Sequence, residues 1–403
     1  MVRYVGRASV TVAAGQRSLL REAATGERVI DLCSGEGAAI LGYQPRSVVS
    51  AVRQQLCRDA HGRHRSARRL GARLAMKLRA IAGMPGAEVV PATTGSEAAD
   101  LAVRLCRRVT GRPLVAHLRN SYHGSTSATM SLCGIASFRR RDKLGASLEL
   151  AVPDTPDQER ASQWERSKLR LRARSHELAA IILEPVRSNA GFRMLSRQCA
   201  AWLRRFCDQH GIILIADEVT SGLGRCGAWL SAELVGIRPD IVVLGKSLGA
   251  GVAPIGAAIV PSDIWRAARG PGYRSTLSWS PPACAAAIAT LRAITRGKLV
   301  ERSARLGESI HRRLGQLAPR TVTDLVGCGL GWGIQLGRPR DQTADEWRAH
   351  AYLRLLARGL HVEPSATLPG LRMMPPLTIP HGVLMRAIDA IAEELDQVAS
   401  YKR

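Results

Sequence analysis

Short apolar runs alternate with amphipathic segments over residues 87–260, and this alternation constrains the fold more than any other feature of the chain. The runs have strand length, and the segments between them repeat apolar residues at helical spacing. Strands joined through helices favour a parallel sheet. We therefore predict an α/β fold with a mainly parallel central sheet and helices on both faces. The predicted strands lie in "EVVPA", "PLVAHL", "LAAIILEP", "IILIADEV", "DIVVLG" and "IGAAIV".

The two ends of the chain show a different pattern from its centre. "RVIDLCSGEGA" is typical of a short strand and turn that needs partners elsewhere, and "TVTDLV" and "GWGIQL" are strand-like runs among helical segments. We predict a large α/β domain over residues 46–285. A smaller α+β domain is expected from residues 1–45 and 286–403 together. In such sheets the ligand site lies beyond the carboxyl ends of the strands.

Glycines and polar stretches mark the limits of the predicted elements. Gly111 and Gly211 each follow a helical segment, at the position where a left-handed residue commonly ends a helix. Residues 139–178 are polar and charged, so we expect an inserted surface helix or loop there. A helix near residues 344–358 and a closing helix from about residue 383 complete the pattern.

The chain carries a large positive charge, since 58 Lys and Arg against 33 Asp and Glu give a formal net charge of +25. Residues 53–79 are strongly basic, but they contain no aromatic residue of the kind that stacks on single-stranded nucleic acid. We therefore interpret this segment as a solvated basic helix face, and a nucleic-acid partner is not expected. The alternative is attraction of an acidic or peptide-bound substrate.

Cysteine usage and the amino-terminal residues bear on the cellular compartment. The opening apolar stretch is too short for a secretion signal or a membrane span, so we expect a cytoplasmic protein with no membrane partner. The nine cysteines include no CxxC pair, and no histidine cluster has metal-ligand spacing. Reduced, packing cysteines and no metal site are the prediction.

Lys246 follows a strand-like run in "DIVVLGKSLGAGVAP". The chain has only six lysines, so arginine supplies most of its generic positive charge. A lysine at the end of a buried strand is therefore a candidate for amine chemistry that a guanidinium does not perform. A phosphate-binding P-loop would need glycine where the chain has Asp240, which excludes the nucleotide interpretation.

Other reactive or ligand-binding groups follow other predicted strands. Asp217 ends an apolar run, where a buried carboxylate is unfavourable unless a cation meets it. Gly95 and Ser96 open a helix whose free amides and dipole favour a phosphate. Tyr122 and His123 follow a further strand and offer an aromatic face.

Together with the Lys246 amine, these groups describe a cradle for pyridoxal phosphate. The lysine binds the cofactor's aldehyde, and the acidic residue keeps the ring nitrogen protonated so that the ring accepts electrons. Each group alone has a simpler interpretation: a helix N-cap, a structural carboxylate, a packing tyrosine or a surface lysine. Their order and spacing favour the cofactor site.

Seven motifs and two intervals carry a resemblance to a known family. The intervals are 29 residues from Asp217 to Lys246 and 30 residues from Lys246 to Thr276. The motifs are "TTGSEAAD", "YHG", "IILEP", "LIADEVTSGLGRCG", "PDIVVLGKSLGAG", "STLSWSPPACAAAIATL" and "LRMMPPLTI". They extend over nearly the whole chain, which resembles the class III (subgroup II) aminotransferases, pyridoxal phosphate enzymes of fold type I.

The resemblance implies a two-stage, ping-pong transfer of an amino group from an amine or amino acid donor to an aldehyde or keto acceptor. Lys246 resembles the lysine that binds the cofactor and moves the proton between substrate and cofactor. Asp217 resembles the partner of the pyridine nitrogen, Val219 the apolar residue behind the ring, and Tyr122 the aromatic residue on its exposed face.

The resemblance also implies a phosphate site and a homodimer. Gly95 and Ser96 resemble the phosphate-binding pair. Thr276 resembles a residue that reaches the cofactor phosphate from a neighbouring subunit, which implies active sites shared between two copies of the chain.

Substrate-binding positions match the family less well than cofactor positions do. Arg372 resembles an arginine that binds a substrate carboxylate. Asn189 and Ser125 stand where many relatives have glutamate and arginine, and Thr220 where many have glutamine. We take Arg372, Asn189 and Ser125 as candidate substrate-binding residues. The changes argue against 2-oxoglutarate and glutamate as the substrate pair.

Several alternatives to an ordinary aminotransferase stay open at this point. Asn189 and the "TLS" at residues 276–278 resemble the glutamate-1-semialdehyde aminomutases, whereas "GLGRCG" around Arg225 resembles the ordinary branch. Trp279, where relatives have a small residue, either reshapes the site's mouth or packs at an interface. An enzyme acting on a peptide- or carrier-bound carbonyl in specialised biosynthesis, and a non-catalytic binding protein on the same fold, are the other possibilities.

Overall fold

The computed structural model describes residues 11–60, 65–135, 145–152, 158–268, 275–317, 321–337, 343–365, 367 and 370–400. The strands within these ranges are β1 Val12–Gln16, β2 Leu19–Glu22, β3 Arg28–Asp31, β4 Glu88–Ala92, β5 Leu114–Leu118, β6 Ser147–Leu150, β7 Leu178–Leu183, β8 Val186–Arg187, β9 Arg193–Met194, β10 Ile213–Asp217, β11 Ile241–Leu244, β12 Gly256–Val260, β13 Val322–Cys328, β14 Gly331–Leu336, β15 Leu360–His361, β16 Glu363–Pro364 and β17 Gly370–Met373. The helices are α1 Arg46–Leu56, α2 Arg65–Ala82, α3 Gly95–Thr110, α4 Ser127–Met130, α5 Gln158–Ala173, α6 Arg197–His210, α7 Ser231–Val235, α8 Ser262–Ala267, α9 Pro281–Arg296, α10 Leu299–Leu317, α11 Ala344–Ala357 and α12 His381–Ser400.

The central sheet has seven strands in the order β4-β12-β11-β10-β7-β5-β6. The pairs β11–β10, β10–β7, β7–β5 and β5–β6 are parallel, and β12 runs antiparallel to both of its neighbours. The predicted α/β fold with a mainly parallel sheet is therefore confirmed. One detail differs, because the segment 139–178, expected as a surface helix or loop, also supplies the edge strand β6.

The sheet is buried on both faces, which explains why its strands read as continuous apolar runs. Every residue of β7 is buried. Ile181 belongs to the apolar cluster on one face, together with α9 residues such as Ile288. The next residue, Ile182, belongs to the cluster on the opposite face, together with Leu101 of α3. Successive strand residues point to opposite faces, so a strand covered on both sides has no polar position to alternate with.

Two glycines end helices as predicted. Gly111 follows α3 with φ 68°, and its N–H donates to the carbonyl of Arg107. Gly211 follows α6 with φ 60°, and its N–H donates to the carbonyl of Cys207. In both cases the left-handed conformation lets the last turn bond its free carbonyls at no steric cost.

The two ends of the chain meet in one of two smaller four-stranded sheets. One sheet has the order β1-β2-β3-β15 and so combines amino-terminal strands with one near residue 360, while another has the order β13-β14-β17-β16. The amide of Leu377 donates to the carbonyl of Ile40 at 2.8 Å, which ties the two ends together next to the central sheet. The domain limits at residues 46 and 286 stay a prediction. Among the described helices, none has the length and apolarity that a membrane span requires.

Candidate active site

A cavity of about 380 Å³ lies at the carboxyl edge of the central sheet. This is the edge where ligands bind in open α/β sheets, and the volume is typical of a small-molecule site. Of the cofactor-binding residues predicted from the sequence, all except Thr276 line the cavity: Gly95, Ser96, Tyr122, His123, Asp217, Val219 and Lys246.

Lys246 begins a short 3-10 turn directly after β11. Its φ is +34°, a left-handed conformation that is unfavourable for lysine and is found mainly where the surrounding structure enforces it. The Nζ atom donates to Thr220 Oγ1 at 3.0 Å. Burial lowers the pKa of the Lys246 amine, and the Arg372 cation lowers it further, against the opposing effect of the Glu36, Glu184 and Glu363 carboxylates. A larger fraction of this amine is therefore neutral, and able to act as a nucleophile or base, than for an ordinary lysine.

Asp217 ends β10 and is 3% exposed. One carboxylate oxygen lies 2.7 Å from His123 Nδ1, and the other accepts the Val219 amide at 3.0 Å. These two partners fix the direction in which the carboxylate points. The second ring nitrogen of His123 is buried and lacks a hydrogen-bond partner in the described part of the chain.

Glu184, one residue past β7, adds a second buried carboxylate near Asp217. It accepts the amide of Tyr122 at 3.0 Å and both the amide and the hydroxyl of Ser188 at 3.1 Å. Burial raises the pKa of Glu184, and the neighbouring Asp217 raises it further. Its contact with the Tyr122 backbone holds the segment after β5 against the sheet, so that the Tyr122 ring lines the cavity.

The start of α3 forms the anion-binding end of the cavity. Thr94 caps the helix by accepting the Glu97 amide at 3.1 Å. Gly95 is required by close packing, because a Cβ there would lie 2.7 Å from both methyl groups of Val219. The Ser96 hydroxyl accepts the Ser125 amide at 3.2 Å. Ser125, predicted as a substrate residue, is therefore placed next to the phosphate-type end of the cavity.

Arg372 lies on β17 and is 8% exposed. Its Nη1 donates to Asn189 Oδ1 at 2.9 Å, so two predicted substrate residues contact each other. Its Nη2 lies 2.8 Å from Glu363 Oε1, because Glu363 on β16 is the strand partner of Arg372. Arg372 Nε and Glu363 Oε2 are both buried and without a partner among the described residues.

Thr276 is exposed and does not line the cavity of its own chain. The neighbouring Ser275 has its hydroxyl 3.4 Å from that of Thr93, so the turn lies close behind the anion-binding end. Trp279 donates through Nε1 to the carbonyl of Gly256 at 2.8 Å. This bond holds the tryptophan against its own chain, and the two interpretations of Trp279, at the mouth of the site or at an interface, stay predictions.

The geometry fits pyridoxal phosphate. The cavity provides an amine, a fixed carboxylate at the end of β10 and a helix start with free amides. The glycine at position 95 leaves room that a side chain would take up. Asp217 ends β10 and Lys246 follows β11, and these two strands are parallel neighbours, so both side chains reach the same edge of the sheet.

Three residues of the site were not assigned a site role from the sequence. Glu363 and Glu184 are acids outside the assigned positions, and Thr220 was noted only as a departure from the family. A β-strand pairing decides the contact of Glu363 with Arg372. The run "EP" after β7 was the available signal for Glu184, since a carboxylate at the end of an apolar strand needs partners.

Comparisons with known proteins agree with this geometry. The family model for class III aminotransferases matches residues 6–395. The 5-aminovalerate aminotransferase DavT of Pseudomonas aeruginosa is 31% identical over 93% of this chain and 91% of its own length. An acetylornithine aminotransferase of Methanopyrus kandleri is 31% identical over 92% and 90%. The 2-aminoadipate transaminase of Pseudomonas putida is 31% identical over 93% and 92%.

Solved structures share the fold. An S-selective transaminase from Arthrobacter sp. with alanine bound superimposes with a TM-score of 0.88 at 23% identity, covering 98% of this chain and 94% of its own. An amine transaminase from an uncultivated Pseudomonas species gives 0.86 at 24% identity, covering 96% and 95%. Because the family model spans nearly the whole chain, the protein belongs to the class III aminotransferases, pyridoxal phosphate enzymes that move an amino group from a donor to a carbonyl acceptor.

Proposed function

We propose that the cavity residues hold pyridoxal phosphate in the orientation that their contacts define. Lys246 provides the amine for the aldehyde, Asp217 faces the ring nitrogen, and the amides and hydroxyl at Gly95 and Ser96 face the phosphate. Tyr122 and Val219 lie on the two faces of the ring. When bound, the cofactor supplies an electron-accepting ring that stabilises negative charge on the substrate carbon.

The chain's own residues handle the proton. Lys246 is the group that would accept the proton of the substrate carbon, because burial lowers its pKa toward the range of a useful base. The Thr220 hydroxyl accepts a hydrogen bond from the Lys246 amine at 3.0 Å and so orients it. His123 fixes the Asp217 carboxylate, whose negative charge would meet the protonated ring nitrogen of the cofactor.

We further propose that Arg372 binds a carboxylate carried by the donor or by the acceptor. The observation that supports this is that Arg372 is buried, that its charge acts on the Lys246 amine, and that its partner Glu363 belongs to the same small sheet. Glu363 neutralises the charge of Arg372 while no carboxylate substrate is bound, so that an amine without a carboxylate also fits. The relatives named for 5-aminovalerate, 2-aminoadipate and acetylornithine act on amino acids, which supports a carboxylate substrate.

Opposite charge changes around Arg372 test this substrate proposal. Glu363→Gln removes the carboxylate that neutralises the Arg372 guanidinium, whereas Asn189→Asp adds a second carboxylate that competes for it. We expect the kcat/KM ratio for alanine over isopropylamine, which has a methyl group in place of the carboxylate, to rise about ten-fold in the first variant and to fall about ten-fold in the second.

Arg372→Gln is the control, and it should remove most of the preference for alanine in either background. The proposal fails if both charge variants move the ratio in the same direction. It also fails if Arg372→Gln leaves the ratio unchanged.

The assembly and the compartment are finer proposals. We propose a homodimer in which Thr276 reaches the cofactor phosphate of the partner subunit, because the residue is exposed and does not line the cavity of its own chain. A cytoplasmic location suits the cysteines, since all nine are free and most are buried. The family match and the relatives favour transfer between two molecules over the internal aminomutase.

A further inference from the structure

Three metal-ligand side chains meet at the pairing of β3 with β15. The two strands are parallel, and His361 is the register partner of Asp31. Cys33 follows Asp31 by two residues, so the chain after β3 returns a thiol to the same place. One ligand atom from each of Asp31, Cys33 and His361 lies within 4.8 Å of the other two. Cys33 and His361 are separated by 328 positions, so the fold alone creates this cluster.

The side chains of the cluster are held in place by their neighbours. Asp31 accepts the amides of Cys33 at 2.8 Å and Ser34 at 2.9 Å, and the hydroxyl of Tyr43 at 2.8 Å. A carboxylate has about four acceptor positions, so one is left after these three bonds. Tyr352 contacts His361 Nδ1 through its hydroxyl at 3.2 Å and so restrains the ring. Hydrogen bonds of this kind orient the ligands in metal sites.

The burial of the cluster suits an ion that enters from one side. Asp31 is 0% and Cys33 is 3% exposed, whereas His361 is half-buried and provides access from solvent. The Cys33 thiol donates to the carbonyl of His361 at 3.4 Å, so the sulfur already faces β15. A buried carboxylate, thiol and imidazole together need a cation to offset their desolvation once the thiol is ionised.

The donor set selects the class of ion. A thiolate and an imidazole favour zinc over magnesium or calcium, which prefer oxygen ligands. Zinc in proteins is usually four-coordinate, so three protein ligands leave one position for a solvent molecule. We propose that Asp31, Cys33 and His361 bind one zinc ion, with water as the fourth ligand. On binding, the S–H bond of Cys33 breaks, the sulfur keeps the electron pair and bonds the metal, and the proton passes to solvent.

Such an ion would join distant parts of the chain. It links the strand near residue 30 to the strand near residue 360, next to the loop that leads to the active-site cavity. That loop contains Gly37, whose carbonyl accepts the Ser247 hydroxyl at 3.0 Å, and Ala38, which lines the cavity. Zinc is therefore a structural clamp on the amino-terminal sheet, and no step of amino-group transfer depends on it.

Metal titration of the purified holoenzyme tests the proposal. After removal of metal with a chelator, zinc is added in competition with a chromophoric chelator, and about one ion per chain should bind at micromolar free zinc. Cobalt(II) should give tetrahedral visible bands together with a near-ultraviolet thiolate-to-metal band. That band reports a cysteine ligand directly, so a site made only of surface histidines or carboxylates does not produce it.

Ligand variants and one matched cysteine variant complete the test. Cys33→Ser and His361→Gln should each weaken zinc binding by about ten-fold or more, and Cys33→Ser should abolish the thiolate band. Cys57→Ser, which changes an exposed cysteine, should leave both readouts unchanged. Zinc should raise the thermal midpoint of the wild type and not that of Cys33→Ser.

The bands of the wild-type protein decide the question even if a variant does not fold. Stoichiometric cobalt binding without a thiolate band would overturn the proposal. So would the absence of a bound equivalent, or unchanged zinc affinity in a folded Cys33→Ser protein. None of these outcomes bears on the aminotransferase assignment.

Discussion

Surroundings, and not residue type, give the side chains of this site their chemistry. Lys246, one of six lysines in the chain, is placed at the carboxyl edge of the central sheet beside a threonine hydroxyl, where the charge of Arg372 acts on it. Asp217 is held by a histidine and an amide, while its neighbour Glu218 accepts the hydroxyls of Ser221 and of Ser231 at the start of α7.

Thr220→Val tests how the amine of Lys246 is controlled. Valine keeps the shape of threonine but removes the acceptor, and the bond from a charged amine is the stronger one, so its loss disfavours the ammonium. The pKa of Lys246 should therefore fall further. We expect the pH at which the apoenzyme captures pyridoxal phosphate at half its maximal rate to drop by up to about one unit.

The capture rate is followed by the visible absorption of the bound cofactor over a pH series. Thr220→Ser keeps the hydroxyl and should retain the wild-type profile. A rise of the midpoint in Thr220→Val, or an equal shift in Thr220→Ser, would contradict the role given to this hydroxyl.

At the scale of elements, the junctions between strands and helices determine the site. The start of α3, the end of β10 and the turn after β11 come together closely enough that glycine is needed at two of the contacts. A Cβ on Gly245 would lie 2.8 Å from the Gly95 Cα, and a Cβ on Gly95 would meet Val219. The packing of backbone against backbone places the helix start, the carboxylate and the amine around one cavity.

Two glycine-to-alanine changes should differ in their effect on cofactor affinity. Gly95→Ala forces the start of α3 away from Val219, and we expect at least a ten-fold loss of pyridoxal phosphate affinity, measured by equilibrium dialysis against the cofactor. Gly315→Ala changes a glycine inside α10 whose added Cβ meets nothing within 4 Å. It should leave cofactor affinity unchanged and stabilise the protein by up to about 1 kcal/mol, as seen in denaturant unfolding. Equal cofactor affinity in Gly95→Ala and the wild type would rule out the close contact as a requirement.

Periodicity made the central elements predictable, and contacts between distant segments were not. The strands of the sheet are continuous apolar runs because both faces are covered, and the glycines after α3 and α6 signal their ends. Strand β6 was missed because its edge position leaves it a mixed, half-buried pattern within a polar segment. The Glu363–Arg372 pair and the Asp31–His361 pair depend on strand register, which a single sequence does not encode locally.

At the scale of the whole molecule, the two ends of the sequence come together, and one residue proposed for the cofactor site lies on the surface. Strands from both ends of the sequence share a sheet beside the catalytic one. Thr276 is exposed, while its neighbour Ser275 contacts Thr93 near the anion-binding end. The +25 net charge favours association with anionic substrates over long range and fixes no feature of the fold.

Mixed dimers test whether active sites are shared between subunits. Lys246→Ala and Thr276→Ala chains, co-expressed with different tags and purified through both, form heterodimers. If Thr276 acts on the partner's site, one site lacks both residues and the other is intact, so half of the wild-type activity per dimer should return. If Thr276 acts within its own chain, one site lacks Lys246 and the other lacks Thr276, so the activity should not exceed about half that of the Thr276→Ala homodimer.

Covalent trapping of the cofactor shows whether Lys246 is the residue that binds it. The holoenzyme is reduced with borohydride, digested and analysed by mass spectrometry, with Lys298→Ala as a matched control and Lys246→Ala as the loss-of-site variant. We expect a phosphopyridoxyl group on the Lys246 peptide in the wild type and in Lys298→Ala, and none in Lys246→Ala. The role of Lys246 would be contradicted by a label on another lysine, or by a wild-type protein that binds no cofactor.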